Sequence, residues 1–210
     1  MDPWPLRHLV LRTPRLELRP DDDAGLLEMA EVALSGVHSP EQMPFSMPWT
    51  EMSPAELGRG SVQSRWRKRA EHSPESWDVG FLVRHQGRVI GTQGLMAENF
   101  GVLREVSCGS WFGMAHQGQG FGTEAWAAVL LLAFDHLGAE LGHALAFADN
   151  TASRAVSRKL GYQDTGTRRV VRRGEPAVQV EQRVTPGGFK RPDWTLEVDG
   201  LDACREMLGA

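Results

Sequence analysis

The alternation of apolar and polar positions divides the chain into short strands and a few amphipathic helices. Leu9 to Arg19 alternates in part, with Leu9 and Leu11 before a Thr13-Pro14 break and Leu16 and Leu18 after it, which predicts a first strand with an interruption. Asp21 to Asp23 supply an N-cap and first-turn negative charge for a helix through Leu34. From His38 to Pro54 the prolines Pro40, Pro44, Pro48 and Pro54 interleave with Phe45 and Trp49, so this stretch is expected to be a loop with apolar anchors. Such a loop either covers the core or selects a substrate. Ser53 and Glu56 have capping-box spacing at the head of a helix over 54–70, and its basic end, Arg65, Arg67, Lys68 and Arg69, reads as a solvated helix end.

Trp77 to Arg84 and Arg88 to Leu95 alternate as strands around a His85-Gln86-Gly87 hairpin connection, and a further strand is predicted over 104–112. On that strand Glu105, Ser107, Gly109 and Trp111 share one face, and Val106, Cys108, Ser110 and Phe112 the other. Ala127, Leu130, Leu131 and Phe134 fall at core spacing in a helix over 123–136, which Gly138 would stop. A short strand over 143–149, a helix over 150–160 closed by Gly161, and a hairpin made of 162–173 and 177–184 complete the pattern. The apolar residues Trp194, Leu196, Val198, Leu201 and Leu208 predict that 185–210 is a C-terminal extension packed on a single domain spanning 1–210. The expected fold class is α/β: a mixed, mostly antiparallel sheet with flanking helices.

Composition narrows the classes of function. Lys and Arg number 23 against 27 Asp and Glu, and the net charge of -4 argues against nucleic acid as a partner held by bulk electrostatics. Cys108 and Cys204 are too few for a disulfide framework or a zinc site, so no metal is expected and a reducing compartment fits. The opening MDPWPLRHLVLR lacks a positively charged start followed by an apolar run, and the longest apolar stretch, Ala125 to Phe134, is far short of a membrane span. The expectation is a soluble cytoplasmic protein with no membrane partner.

The candidate chemistry lies at Gln117, Gly118, Gly120 and Gly122, where a strand should end and a helix begin. Free backbone N–H groups at such a place hold anions, and glycines let the backbone approach closely. A phosphate-binding P-loop would need Lys and then Ser or Thr after its last glycine, but Thr123 and Glu124 follow Gly122. The dinucleotide fingerprint GxGxxG is also unmet, because Gly118, Gly120 and Gly122 make GxGxG after an antiparallel-looking meander. The remaining pattern is QxxGxG, and a second block follows it: Asn150, Ser153 and then Lys159-Leu160-Gly161-Tyr162.

With these two blocks, roughly 9 to 184 of the chain resembles the GCN5-related N-acyltransferase (GNAT) superfamily. It is most similar to the branch of the RimJ and RimL ribosomal-protein N-terminal acetyltransferases, whose first strand LRTPRLELRP resembles. The opening PWPLRHLVLRTPRLELRP, the segment EVSCGSWFG and the RKLGY block resemble more closely still a bacterial group described as succinyl-CoA transferases. The resemblance implies two central strands splayed around acyl-CoA, and transfer of an acetyl or succinyl group from acetyl-CoA or succinyl-CoA to an amine. The acceptor would be a small molecule, a protein N-terminus or a lysine. RimL-like relatives often dimerise, which adds a homo-oligomer to the partners implied.

The resemblance also implies residue roles. The N–H groups of Gln117, Gly118, Gln119, Gly120, Phe121, Gly122 and Thr123 would hold the pyrophosphate. The pantetheine arm would lie along Trp111, Phe112 and Gly113, with Asn150 contacting it. A lysine amine, pKa ~10.4, or an α-amine, ~7.7 to 8.0, is mostly protonated at neutral pH, so a proton path is needed. The branch often uses a Glu on this strand, but the matching position is Ser107, which leaves Glu105 as candidate base or as an ordinary strand carboxylate. For donation to the departing thiolate the branch uses the Ser that matches Ser153, with Ser157 in reserve at the position where many members carry Tyr. Ser153 reads equally as a capping residue. His116 either meets a phosphate or acts as base, or is a loop residue, and Cys108 reads as a small buried apolar residue. The absent Glu and Tyr leave a second reading, a non-catalytic acyl-CoA-binding or regulatory module.

Overall fold

The computed structural model describes residues 2–210. Its sheet has nine strands: β1 (Val10–Arg12), β2 (Glu17–Pro20), β3 (Ser76–His85), β4 (Arg88–Glu98), β5 (Glu105–Phe112), β6 (Leu141–Phe147), β7 (Gln163–Arg172), β8 (Glu175–Val184) and β9 (Glu197–Asp199). They lie in the order β7-β8-β6-β5-β4-β3-β2-β1-β9. Every neighbouring pair is antiparallel except β5 and β6, which run parallel and pair only from Glu105↔Leu141 to Ser107↔His143. Beyond Ser107 the two strands part. β5 continues to Phe112 paired with β4 alone, and β6 continues to Phe147 paired with β8 alone. The wedge between them positions the site.

Five helices flank the sheet: α1 (Asp23–Leu34), α2 (Pro54–Ala70), the single turn α3 (Phe100–Leu103), α4 (Phe121–Leu131) and α5 (Thr151–Lys159). α4 is buried on every side from Ala125 to Leu131 and packs with Val106, Cys108 and Phe112 in the main core. A helix apolar all round has to be interior. α1 and α2 cover the opposite face, where Leu26, Met29, Leu82 and Val89 pack together with Trp111. Asp22 caps α1 by accepting from Gly25 N–H, and Ser53 with Glu56 forms the expected capping box on α2.

Several expectations change in detail. The interrupted first strand is a pair of short strands, β1 and β2, because Thr13-Pro14 turns the chain and Thr13 N–H bonds Leu16 O at 3.0 Å. The helix over 123–136 begins at Phe121 and opens into a π-helical turn over Leu132–Leu137 before Gly138, at φ +75°, ends it. The basic end of α2 is not wholly solvated: Arg65 is half-buried between Asp21 and Asp78. The single turn α3 and the strand β9 carry no periodic signal of their own.

Two segments close over the sheet. Beyond β8, β9 pairs with β1, Trp77 Nε1 donates to Leu208 O at 3.0 Å, and Phe189 packs 5.8 Å from Phe134, so the tail lies on the body of the fold. The proline-rich loop forms a strap across the α1 and α2 side of the wedge. Phe45 meets Trp49 at 5.1 Å and Trp49 meets Trp111 at 5.6 Å between ring centroids. At its far side the strap is tied to the β7–β8 hairpin: Gln179 Nε2 donates to Ser46 Oγ at 2.9 Å, Arg172 to Met43 O at 3.2 Å, and Arg173 pairs with Glu51.

Candidate functional site

The wedge opens into a cleft of about 960 Å³, lined by the open part of β5, the glycine turn, one side of α5, the strap and α2. Gly118 and Gly120 adopt φ of +73° and +84°, in the left-handed region that favours glycine, and Gly120 is the N-cap of α4. A Cβ at Gly118 would meet nothing within 4 Å, and one at Gly122 would come no closer than 3.5 Å to anything, so the N-terminus of α4 is open. Gln117 departs from its expected role. Its N–H bonds Met114 O at 3.2 Å, and its side-chain amide donates to Val37 O at 2.6 Å and Phe112 O at 2.8 Å. Gln117 therefore fixes the turn to the end of β5, and the free N–H groups begin at Gly118.

A cation that sequence reasoning missed stands beside the turn. Glu124, buried in the first turn of α4, accepts from Thr13 Oγ1 at 2.6 Å, from Arg15 N–H at 3.1 Å and from Arg15 Nε at 2.6 Å. Arg15 Nη1 also donates to Gln119 O at 3.0 Å, and its guanidinium lies 4.7 Å from the Phe121 ring centroid. The Thr13-Pro14 break thus docks the β1–β2 turn onto α4 and sets Arg15 against the anion-binding end. Its only sequence signal was a Thr-Pro-Arg run, more than 100 residues from Glu124.

The other expected residues divide into two groups. Trp111, Phe112, Asn150 and Ser153 line the cleft together with Gly118, Gly120, Phe121, Gly122 and Thr123. Asn150 caps α5, its Oδ1 accepting from Ser153 N–H at 3.1 Å, which leaves its amide donors and the Ser153 hydroxyl without a partner among the described residues. His116 also faces the cleft. Outside it lie Gln119, whose amide turns back to Ala115 O at 2.9 Å, and Gly113, packed against α1 where a Cβ would meet Val32 at 2.7 Å. Ser157 is fully buried, with its hydroxyl on Gln182 Oε1 at 2.8 Å, and cannot reach a reactant. Glu105 sits at the closed end of the β5–β6 pair, bonded to His143 Nε2 at 2.8 Å and away from the cleft. Cys108 lies in the buried floor of the cleft beside Tyr162 and Trp126, and burial pushes its thiol up to about 12, too high for a thiolate nucleophile.

The model of the acetyltransferase (GNAT) domain matches residues 15–163. The chain belongs to this family. It is an acyl-CoA-dependent N-acyltransferase, and solved GNAT structures share its fold. RimJ from Mycobacterium smegmatis, in complex with a CoA disulfide, superposes with a TM-score of 0.69 at 21% identity, covering 87% of this chain and 90% of that one. RimL, a ribosomal L7/L12 alpha-N-protein acetyltransferase in complex with coenzyme A, gives 0.66 at 18%, covering 82% and 95%. A GCN5-related N-acetyltransferase from Brucella melitensis gives 0.68 at 20%, covering 85% and 79%.

The residues of this GNAT chain fit an acyl-CoA. An open helix N-terminus with a guanidinium alongside suits a diphosphate. The edge of β5 from Cys108 to Phe112 has no strand on its β6 side, which suits an extended arm carrying amides. No helix among the described residues is long and apolar enough to cross a membrane.

Proposed function

We propose that this enzyme transfers an acyl group, acetyl or succinyl, from coenzyme A to an α-amine by direct attack. The observation that carries the proposal is that the anion-binding turn, the unpaired edge of β5 and the partnerless Ser153 hydroxyl all face one wedge. An acyl-CoA bound there supplies an activated thioester carbonyl. The N–H groups from Gly118 to Thr123 and the Arg15 guanidinium hold its diphosphate, the edge of β5 pairs with its arm, and the Asn150 amide donates to that arm. Ser153 Oγ donates a hydrogen bond to the departing thiolate, whose basicity resembles that of a cysteine near ~8.5.

The acceptor class follows from the proton to be removed. Glu105 takes no part in this scheme, because its carboxylate is engaged by His143 at the closed end of the sheet. The carboxylates that do line the cleft, Asp21 and Asp78, are both engaged by Arg65. With no free carboxylate base among the described residues, the site suits an amine that is already partly neutral. With pKa near ~7.7 to 8.0 against ~10.4, an α-amine offers roughly 300-fold more free base than lysine at neutral pH. A peptide N-terminus is such an acceptor, and the RimL neighbour is named for one.

Thiol release from acetyl-CoA and succinyl-CoA, measured against peptides with free N-termini, blocked lysine peptides and small amines, tests the scheme. Turnover confined to α-amines is the expected result. Tight binding of both donors with no turnover over any amine would replace the scheme with a non-catalytic acyl-CoA-binding module.

A further inference from the structure

Arg172 joins the two walls of the cleft. It is the last residue of β7, opposite Glu175 of β8, and the two residues between them, Arg173 and Gly174, have φ of +52° and +81°. A two-residue turn of that kind leaves the hairpin no slack, so the ladder behind it sets the place of Arg172. The guanidinium lies 4.3 Å from the ring centroid of Phe147, a buried residue at the end of β6. Nη1 and Nη2 donate to Asp149 Oδ1 and Oδ2 at 2.9 and 2.7 Å, and Nη1 also donates to Met43 O of the strap at 3.2 Å. One planar fork thus meets β6, the turn into α5 and the strap at once.

These contacts fall next to residues that face the cleft. Asp149 precedes Asn150, the cap of α5 whose Oδ1 accepts from Ser153 N–H, and Met43 stands two residues before Phe45. Asn150 and Ser153 line one wall, and Phe45 and Trp49 the other. Ala148 N–H bonds Val178 O at 2.9 Å, and beyond it no backbone bond among the described residues joins the turn to β8. Arg154 braces the turn through Ala148 O at 3.4 Å without touching the strap. The other ties between hairpin and strap, Arg173 with Glu51 and Gln179 with Ser46, do not touch the turn. Among the described residues, Arg172 alone reaches both walls.

We infer that Arg172 is a positioning residue: it sets the Asn150 cap, and through the cap the Ser153 hydroxyl, against the strap, so that a donor bound on one wall steadies the other. This rests on the donor site proposed above, in which Asn150 and Ser153 meet the acyl-CoA. Arg172 itself lies outside the lining of the cleft and touches no reactant. A coenzyme A arm that holds the Asn150 amide also holds Asp149, and Asp149 holds the fork that grips Met43 O. Such a link is reciprocal, so an amine held under the strap raises coenzyme A affinity by the same factor. A lysine at 172 keeps the charge but offers one point of contact. It cannot hold both oxygens of Asp149 and Met43 O while lying against the Phe147 ring.

Hydrogen exchange of the strap amides between Met43 and Glu51, with and without coenzyme A, tests the link independently of turnover. In the wild type coenzyme A should slow exchange there about fivefold or more, and in Arg172→Lys it should not. Asp149→Ala cuts the same link from the other end, at a largely exposed side chain, and should lose the response too, whether or not Arg172→Lys folds. Arg173→Ala, which frees only a tie between hairpin and strap, should keep it. Thiol release with one α-amine peptide supplies a second reading. Asp149→Ala spares the bond to Met43 O and should lower kcat about tenfold with peptide KM held, whereas Arg172→Lys should also raise peptide KM about tenfold. A wild-type strap indifferent to coenzyme A, or a response that survives Asp149→Ala, would overturn the assignment. A wild type that responds but acylates no α-amine would overturn the proposed function and leave the link standing.

Discussion

Glu124 gives the sharpest test of how the anion-binding turn is held. Its carboxylate is 8% exposed and accepts three hydrogen bonds, from Thr13 Oγ1, Arg15 N–H and Arg15 Nε. Hydrogen bonds to a charged group contribute about 1.5 to 3 kcal/mol each, but these three share one carboxylate and do not add. Arg15 is 44% exposed, which discounts its ionic part. Glu124→Ala should therefore cost about 3 kcal/mol. A chain of this size loses about 2 to 4 °C in melting temperature per kcal/mol, so the expected fall is about 6 to 12 °C. Glu124→Gln keeps the acceptor for Thr13 and Arg15 N–H and should lose about half as much. Because this carboxylate holds Arg15, which itself donates to Gln119 O in the turn, coenzyme A affinity should weaken together with the melting temperature, read by thermal denaturation and calorimetry on the same samples. A Glu124→Ala protein that melts within about 2 °C of the wild type, with unchanged affinity, would refute the lock between the β1–β2 turn and α4.

Four further outcomes are expected. Ser153→Ala should lower kcat by about 10-fold to 100-fold with little change in coenzyme A affinity, and an unchanged rate would remove Ser153 from the mechanism. Gly161→Ala should destabilise by about 3 kcal/mol, because φ is +94° there and the new Cβ would lie 2.1 Å from Gly188 O; denaturant titration reads this. Cys108→Ala should keep turnover in the thiol-release assay, since a buried thiol raised to about 12 supplies no thiolate at neutral pH. With an α-amine peptide, kcat/KM should rise with pH and level off above about 8, whereas a rise continuing toward pH 10 would indicate a lysine acceptor.

Much of the fold was legible because it is local. The capping box of Ser53 and Glu56, the His85-Gln86-Gly87 connection, the Asn150 cap and Gly161 act within a few residues, and the elements they bound lie close to where the pattern puts them. The glycine turn was legible for the same reason. What escaped joins residues far apart in the chain. Arg15 reaches Glu124, Arg65 reaches Asp21 and Asp78, and β9 finds β1 across the whole sequence. Arg65 looked like one of several cations at a helix end, and only the fold shows that it alone of them lies on Gly80. Glu105 and Ser157 went astray because a position on a strand face or helix does not reveal where the strands separate. One lies at the closed end of the β5–β6 pair and the other faces Gln182 on β8.

Gly80 of β3, Gly94 of β4 and Gly109 of β5 stand opposite one another, so these strands give up side-chain contacts at the centre of the sheet. A pair of facing side chains contributes roughly 0.2 to 1 kcal/mol to a sheet, and Gly80, Gly94 and Gly109 provide none. Backbone ladders and the amide of Gln93 are what bind the strands together there. Filling Gly94 should therefore make the protein harder to unfold, since a Cβ there would meet Gly109 O at 3.4 Å and Met96 Cε at 3.8 Å, both ordinary contacts.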